Sequence, residues 1–147
     1  MGVTMDGLNV THCWQSLIMN IIQQFEAFVA AHNYRDALPL IREIVARAPN
    51  VATSHFNLGV CLDELGRHSQ AAEAFIKAQE INIEDWGTHY RIVRSLFLAG
   101  DFDTLHEFID YSCGLSDQVM PLICEDEALS PLFERFEFQQ LRTKYLK

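Results

Sequence analysis

The sequence predicts an all-α fold, a stack of antiparallel helix hairpins, and three observations predict it. Apolar residues recur at three-and-four spacing along most of the chain. The breaks between these runs are short, which places successive helices side by side and antiparallel. Residue types also recur every 34 positions, as in Tyr34, His68 and Phe102, in Ala37 and Ala71, and in Gly66 and Gly100; Pro49 and Ile83 share the spacing. A fixed period of this size marks an architecture in which one hairpin cannot bury its own apolar face and its neighbour completes the job. Such stacks present extended surfaces, so binding is the expected role.

Taken in order, the first helix starts at Thr11 and carries Trp14, Leu17, Ile18, Ile21, Ile22, Phe25, Phe28 and Val29 on one side before ending near His32-Asn33, which makes it longer than its successors. Residues 34–47 place Ala37, Leu38, Ile41, Ile44 and Val45 on one face and stop at Ala48-Pro49-Asn50. Residues 52–65 and 68–81 form the next hairpin, with Gly66 as the left-handed corner residue, and residues 85–98 and 102–113 form a third around Gly100. The register is lost after Cys113. Residues 116–125 read as a short helix, and a break follows in which Ser130 caps and Pro131 opens a final helix that turns Leu132, Phe136 and Leu141 inward, with Phe133 and Phe138 left open between core and peptide docking.

Composition narrows the classes. At 147 residues with 49% hydrophobic content, a compact fold buries roughly 70% of the unfolded surface, so no staple is needed. The net charge of −9 disfavours nonspecific grip on nucleic acid or anionic lipid, so neither is an expected partner. Cys13, Cys61, Cys113 and Cys124 form no CxxC pair and no zinc spacing, and are expected as reduced core thiols. With no signal segment and no apolar run long enough to span a bilayer, the expected location is cytoplasmic; Asn9-Val10-Thr11 then reads as a helix start instead of a glycosylation acceptor.

Residues 52–85 resemble a tetratricopeptide repeat along their whole length, with Leu58-Gly59, Leu62, Gly66, Ala71, Phe75 and Ala78 in the family's signature places, His55 where the family usually has Trp and Ile83 where it has Pro. The stretches before and after fit more loosely. The resemblance implies a single domain over residues 1–147, with repeats at about 18–51, 52–85 and 86–115 and a cap at 116–147, wound as a right-handed superhelix. Small residues have a physical purpose here: Gly59 is expected to face Ala71 where the helices of the second repeat cross, whereas the third repeat has the bulkier Val93 and Leu105 and is expected to be splayed.

The same resemblance implies a concave groove lined by the first helix of each repeat. Transferring the pattern puts Met19, Ile22, Gln23 and Glu26 there from the first repeat, Thr53, Phe56, Asn57, Val60, Asp63 and Glu64 from the second, and Tyr90, Arg91, Arg94 and Phe97 from the third. Phe56 and Tyr90 equally fit a role in closing the core between repeats. Some members clamp carboxylate tails of heat-shock chaperones; the matching positions here are Ile22, Glu26, Asn57, Gly87 and Arg91, and Glu26 would repel such a tail, so that ligand is not expected. Residues 95–134 contain acidic residues and no Lys or Arg, which reads as a solvated face or a docking surface for a basic partner.

No phosphate loop, HExxH or nucleophile elbow is present, so no enzyme and no cofactor are expected; His55 and His89 are the best metal candidates and are expected as core-edge residues in place of Trp. The expected function is a protein-protein interaction adaptor that binds a peptide segment of a partner. The alternative is a small acidic secretion-type chaperone, followed by an RNA-binding helical repeat or a metal-dependent enzyme. Homo-oligomerisation through the long first helix and the terminal aromatics is a further reading.

Overall fold

The computed structural model describes residues 6–146, with side chains from Thr11 onward. The chain is an all-helical solenoid: α1 (Asp6–Ala30) pairs with α2 (Tyr34–Arg47), α3 (Ala52–Glu64) with α4 (His68–Ile81), and α5 (Trp86–Ala99) with α6 (Phe102–Leu115). Then come α7 (Val119–Glu125), a 3-10 helix (Glu127–Glu134) and α8 (Phe136–Tyr145). Helix α1 starts earlier than expected, so Asn9-Val10-Thr11 lies inside it. Among the described residues no helix is long and apolar enough to cross a membrane.

Each hairpin turns on the same backbone device. His32, Gly66 and Gly100 have φ of 53°, 72° and 75°. The next residue reaches back five positions, with Asn33 N–H on the Phe28 carbonyl at 2.8 Å, Arg67 on Leu62 at 2.8 Å and Asp101 on Leu96 at 3.1 Å. These bonds satisfy carbonyls that a helix end leaves orphaned, and the left-handed residue makes the reversal possible. Side chains start α2, α5 and α6: Asn33, Asp85 and Asp101 accept the backbone N–H of Asp36, Thr88 and Thr104. The 34-residue period is thus a repeat of hydrogen bonds as well as of residue types.

Among the described helices, α3 and α4 share the most extensive contact. Ala71 is fully buried there. Gly59, however, lies against Phe75 and not against Ala71 as expected: a Cβ at Gly59 would sit 2.7 Å from Cδ1 and Cε1 of the Phe75 ring. Phe75 is itself fully buried and meets Phe56 edge-on, with ring centroids 5.3 Å apart. The third hairpin is splayed, as Val93 and Leu105 predict: α5 and α6 come within close backbone range over much less of their length than α3 and α4. Helix α7 packs against both, burying Val119, Met120 and Ile123 completely.

The C-terminal segment departs from the expected single helix. Asp126, not Ser130, accepts the N–H of Ala128 and starts the 3-10 turn, and the chain is extended again at Arg135. That break rotates the register of α8, so Phe138 is fully buried whereas Phe136, expected inward, is 69% exposed. Arg135 lies over the Phe102 ring at 4.1 Å and marks the seam. Lys144 and the Tyr145 hydroxyl both donate to Asp110 on α6, fixing the cap to the third repeat. Cys61 and Cys113 are buried, their thiols pushed up by burial to about 11 and about 12, and Cys124 is half-buried; Cys13 is exposed on α1 and is no core thiol.

Two substitutions test this packing. Gly59→Ala and Ala71→Leu should each lower stability by about 1–3 kcal/mol, seen as an earlier denaturant midpoint, and an unchanged midpoint for either would contradict a close crossing. His32→Gly should raise stability by roughly 0.5–1 kcal/mol, because it relieves a left-handed backbone that disfavours a side chain.

Candidate binding groove

The first helices of the hairpins share one register, and its residues share one property. Met19, Gln23 and Glu26 on α1, Thr53, Asn57 and Val60 on α3, and Gly87, Arg91 and Arg94 on α5 stand 34 positions apart from helix to helix, and none of them is buried. With about 100° between successive residues, the members on each helix project in one direction. The accessible surface is a strip across three helices, from the acidic Glu26 through the neutral Asn57 and Val60 to the basic Arg91 and Arg94. Arg91 makes no hydrogen bond or ion pair among the described residues, so its donors face outward.

Phe56, Asp63, Tyr90 and Phe97 lie roughly a quarter turn round their helices from that strip and are engaged in packing. Phe56 lies against Phe75 and borders a pocket of about 150 Å³. Phe97 stacks edge-on against Phe102 at 6.2 Å, closing the α5–α6 corner. Asp63 departs most from its expected place in the groove. Its side chain is only 6% exposed, with one carboxylate oxygen held by His68 Nδ1 at 2.9 Å and the other by the Ser95 hydroxyl at 2.7 Å. It therefore ties α3 to α4 and to α5, and presents almost no surface to a ligand.

Tyr90 and Arg94 meet a residue the sequence reading did not bring to them. The Tyr90 hydroxyl donates to Asp126 Oδ2 at 2.6 Å, and Arg94 Nε lies 3.8 Å from the same carboxylate oxygen. Burial and this carboxylate raise the Tyr90 pKa, opposed by the neighbouring arginines. Leu122 and Glu125 flank the contact, so the cap closes the groove at its third-repeat end. No sequence signal pointed to Asp126, which the chain places 36 positions after Tyr90. Other acidic residues of residues 95–134 are likewise engaged within the fold, Asp101 as a helix cap and Asp110 under Lys144 and Tyr145.

The two histidines in Trp places form a matched pair of latches. His55 Nε2 donates to the Pro49 carbonyl at 2.7 Å, and His89 Nε2 to the Ile83 carbonyl at 2.9 Å. Each imidazole thus fixes the turn that leads into its own helix. His89 is fully buried between the Trp86 and Phe108 rings, and its Nδ1 accepts from the Ser112 hydroxyl at 2.9 Å. Among the described residues no group of three or more His, Cys, Asp or Glu is placed to hold a metal ion.

The family model described as tetratricopeptide repeat matches residues 22–85. No curated protein matches the chain by sequence. Among solved structures, MamA superposes with a TM-score of 0.69 at 14% identity, over 94% of this chain and 81% of that one. A MamA structure from MSR-1 is 24% identical with a TM-score of 0.60, over 69% of this chain and 58% of that one, so this chain spans little more than half the length of that relative. The type III secretion chaperone SycD of Yersinia enterocolitica, solved with a peptide of the translocator YopD, is 12% identical with a TM-score of 0.60, over 88% of this chain and 95% of that one. At these identities the likeness is one of fold.

Burial lowers the His89 pKa from its ordinary 6.5, and the Ile83 carbonyl and Asp85 offset this only in part. The folded chain therefore favours the neutral ring. Above pH 6.5 neither state is protonated and the contribution is complete; as the pH falls from there through the folded pKa, the unfolded chain takes up a proton first and stability is lost. The unfolding midpoint should drop between about pH 7.5 and pH 5.5 and drop less in His89→Gln. Equal drops would remove His89 as the cause.

Proposed function

We propose, from the premise that this chain is a member of the tetratricopeptide repeat family, that it is an interaction adaptor that holds a peptide segment of a partner protein across α1, α3 and α5. Residues 1–147 act in this reading as one unit of three repeats and a cap. The observation that carries it is the shared register: nine residues on three helices, equivalent by the repeat, are all left accessible, while the faces beside them are packed. Stacked helices can use such an accessible strip as a preformed surface.

The sites divide by what each side chain has free. Arg91 and Asn57 keep unused polar atoms and would bind a partner's backbone carbonyls or an acidic side chain. Val60 and the exposed edge of Phe56 supply apolar contact between them. Glu26 at the other end selects against an acidic residue there and so orients the segment. Tyr90 and Arg94 are part of the wall, because substituting either also disturbs Asp126 and the cap.

A secretion-type chaperone is the second reading, favoured by length: this chain and SycD align over most of both. In that case the occupant would be a segment of a protein awaiting export. Peptides selected from a random phage-displayed library on the wild-type protein should lose about tenfold or more in affinity for an Asn57→Ala, Arg91→Ala variant, equivalent to 1.4 kcal/mol or more, with its unfolding midpoint unchanged. Retained affinity would place binding elsewhere.

A further inference from the structure

The basic end of the groove already holds a carboxylate, and it is the chain's own. Tyr90 and Arg94 stand four positions apart on α5, neighbours on one face of the helix. Asp126 reaches both: its Oδ2 accepts the Tyr90 hydroxyl at 2.6 Å and lies 3.8 Å from Arg94 Nε. The first contact is a hydrogen bond; the second is too long for one and is a pairing of charges. Arg94 makes no hydrogen bond among the described residues and keeps 36% of its side chain exposed, but its charge is matched before any ligand arrives. Arg91, beside Tyr90 on the same helix, has no such partner among the described residues. Of two guanidinium groups one turn apart, one is free for an anion and the other is already neutralised.

Asp126 is held in place from both sides. It links α7 to the 3-10 helix, whose Val119, Met120, Ile123, Leu129 and Leu132 are fully buried, and its Oδ1 accepts the Ala128 N–H at 2.9 Å. A carboxylate fixed in this way loses little freedom on pairing, whereas an acidic residue of a ligand would have to be ordered and would have to displace it. Tethering also presents Asp126 at an effective concentration that a dilute peptide does not reach. A second carboxylate here would meet Asp126 and Glu125, two like charges on a pocket of about 320 Å³. The remaining walls of that pocket, the Tyr90 ring and the exposed Leu122, suit an uncharged side chain.

We propose that Asp126 is a specificity-determining residue, standing in for an acidic ligand residue at Tyr90 and Arg94. The segment that binds carries its acidic residue opposite Arg91 and an uncharged, apolar residue at the cap end. This rests on the groove across α1, α3 and α5 being the binding surface, and it adds to that reading a rule for the ligand's sequence.

Random phage-displayed peptides selected in parallel on the wild type and on Asp126→Asn test this. The substitution keeps the shape of the side chain, and its carboxamide oxygen can still accept the Ala128 N–H, so the circular dichroism spectrum should be unchanged. The wild-type pool should show one enriched acidic position and the Asp126→Asn pool a second. Peptides with both should bind the variant about tenfold or more tighter than the wild type, less so at high salt, and Arg94→Gln in the Asp126→Asn background should abolish the difference. A gain shared by all peptides alike would mean a loosened cap and would overturn the proposal, as would a gain that survives Arg94→Gln. Two enriched acidic positions in the wild-type pool would overturn it without any variant having to fold. If the wild-type pool binds Asn57→Ala, Arg91→Ala undiminished, the groove reading falls and this inference with it; if that pool loses affinity there and the two selections agree, only the role of Asp126 falls.

Discussion

The close approach of α3 and α4 at Gly59 is the constraint on which the other contacts depend. Because no Cβ stands there, the Phe75 ring can lie directly on the α3 backbone and take Phe56 edge-on. That fixes the distance between the two helices, and α5 is then laid against α4 in extensive contact. The third repeat shows what happens when the condition is relaxed. With Val93 and Leu105 in the equivalent places α5 and α6 stand apart, and α7, the 3-10 helix and α8 complete the core with Met120, Ile123, Leu129 and Phe138. The cap is therefore part of the third repeat's packing and not an appendage.

Polar groups within the stack act as fasteners between turns and helices. His55 and His89 replace an indole by a smaller ring with a strong donor, and each uses it on the carbonyl six residues earlier. Asp63 joins three helices through two bonds to one carboxylate. Among the described residues every buried side-chain polar atom has a partner, the condition under which such groups add to the specificity of a core without destabilising it. These bonds hold α3 and α5, on which Asn57, Val60 and Arg91 of the open strip stand. Its polar groups can thus be held ready for a ligand without the cost of ordering them on binding.

The two accessible surfaces differ in chemistry. The strip across the three first helices runs from acidic to basic and offers directed polar atoms, which suits an oriented segment of another protein. On α1, Trp14 and Leu17 are exposed apolar residues, and residues 7–25 carry no Asp, Glu, Lys or Arg.

The period, the hairpins and their corners were legible in the sequence because they depend on neighbours in the chain. Glycines at 66 and 100, small residues at 59 and 71 and the spacing of apolar positions all act within one hairpin. The bulk of Val93 and Leu105 likewise foretold a looser third repeat. That Glu26, Asn57, Val60 and Arg91 are not buried followed from repeat register alone, since equivalent positions face the same way. What tertiary structure decided were the contacts between separated segments: the carboxylate of Asp126 on Tyr90, the Ser95 hydroxyl on Asp63, the turn of α8 that buries Phe138 and exposes Phe136, and the length by which α1 outruns α2. Local pattern assigns a residue to a face of its helix, but only packing across the stack determines whether another segment already occupies that face.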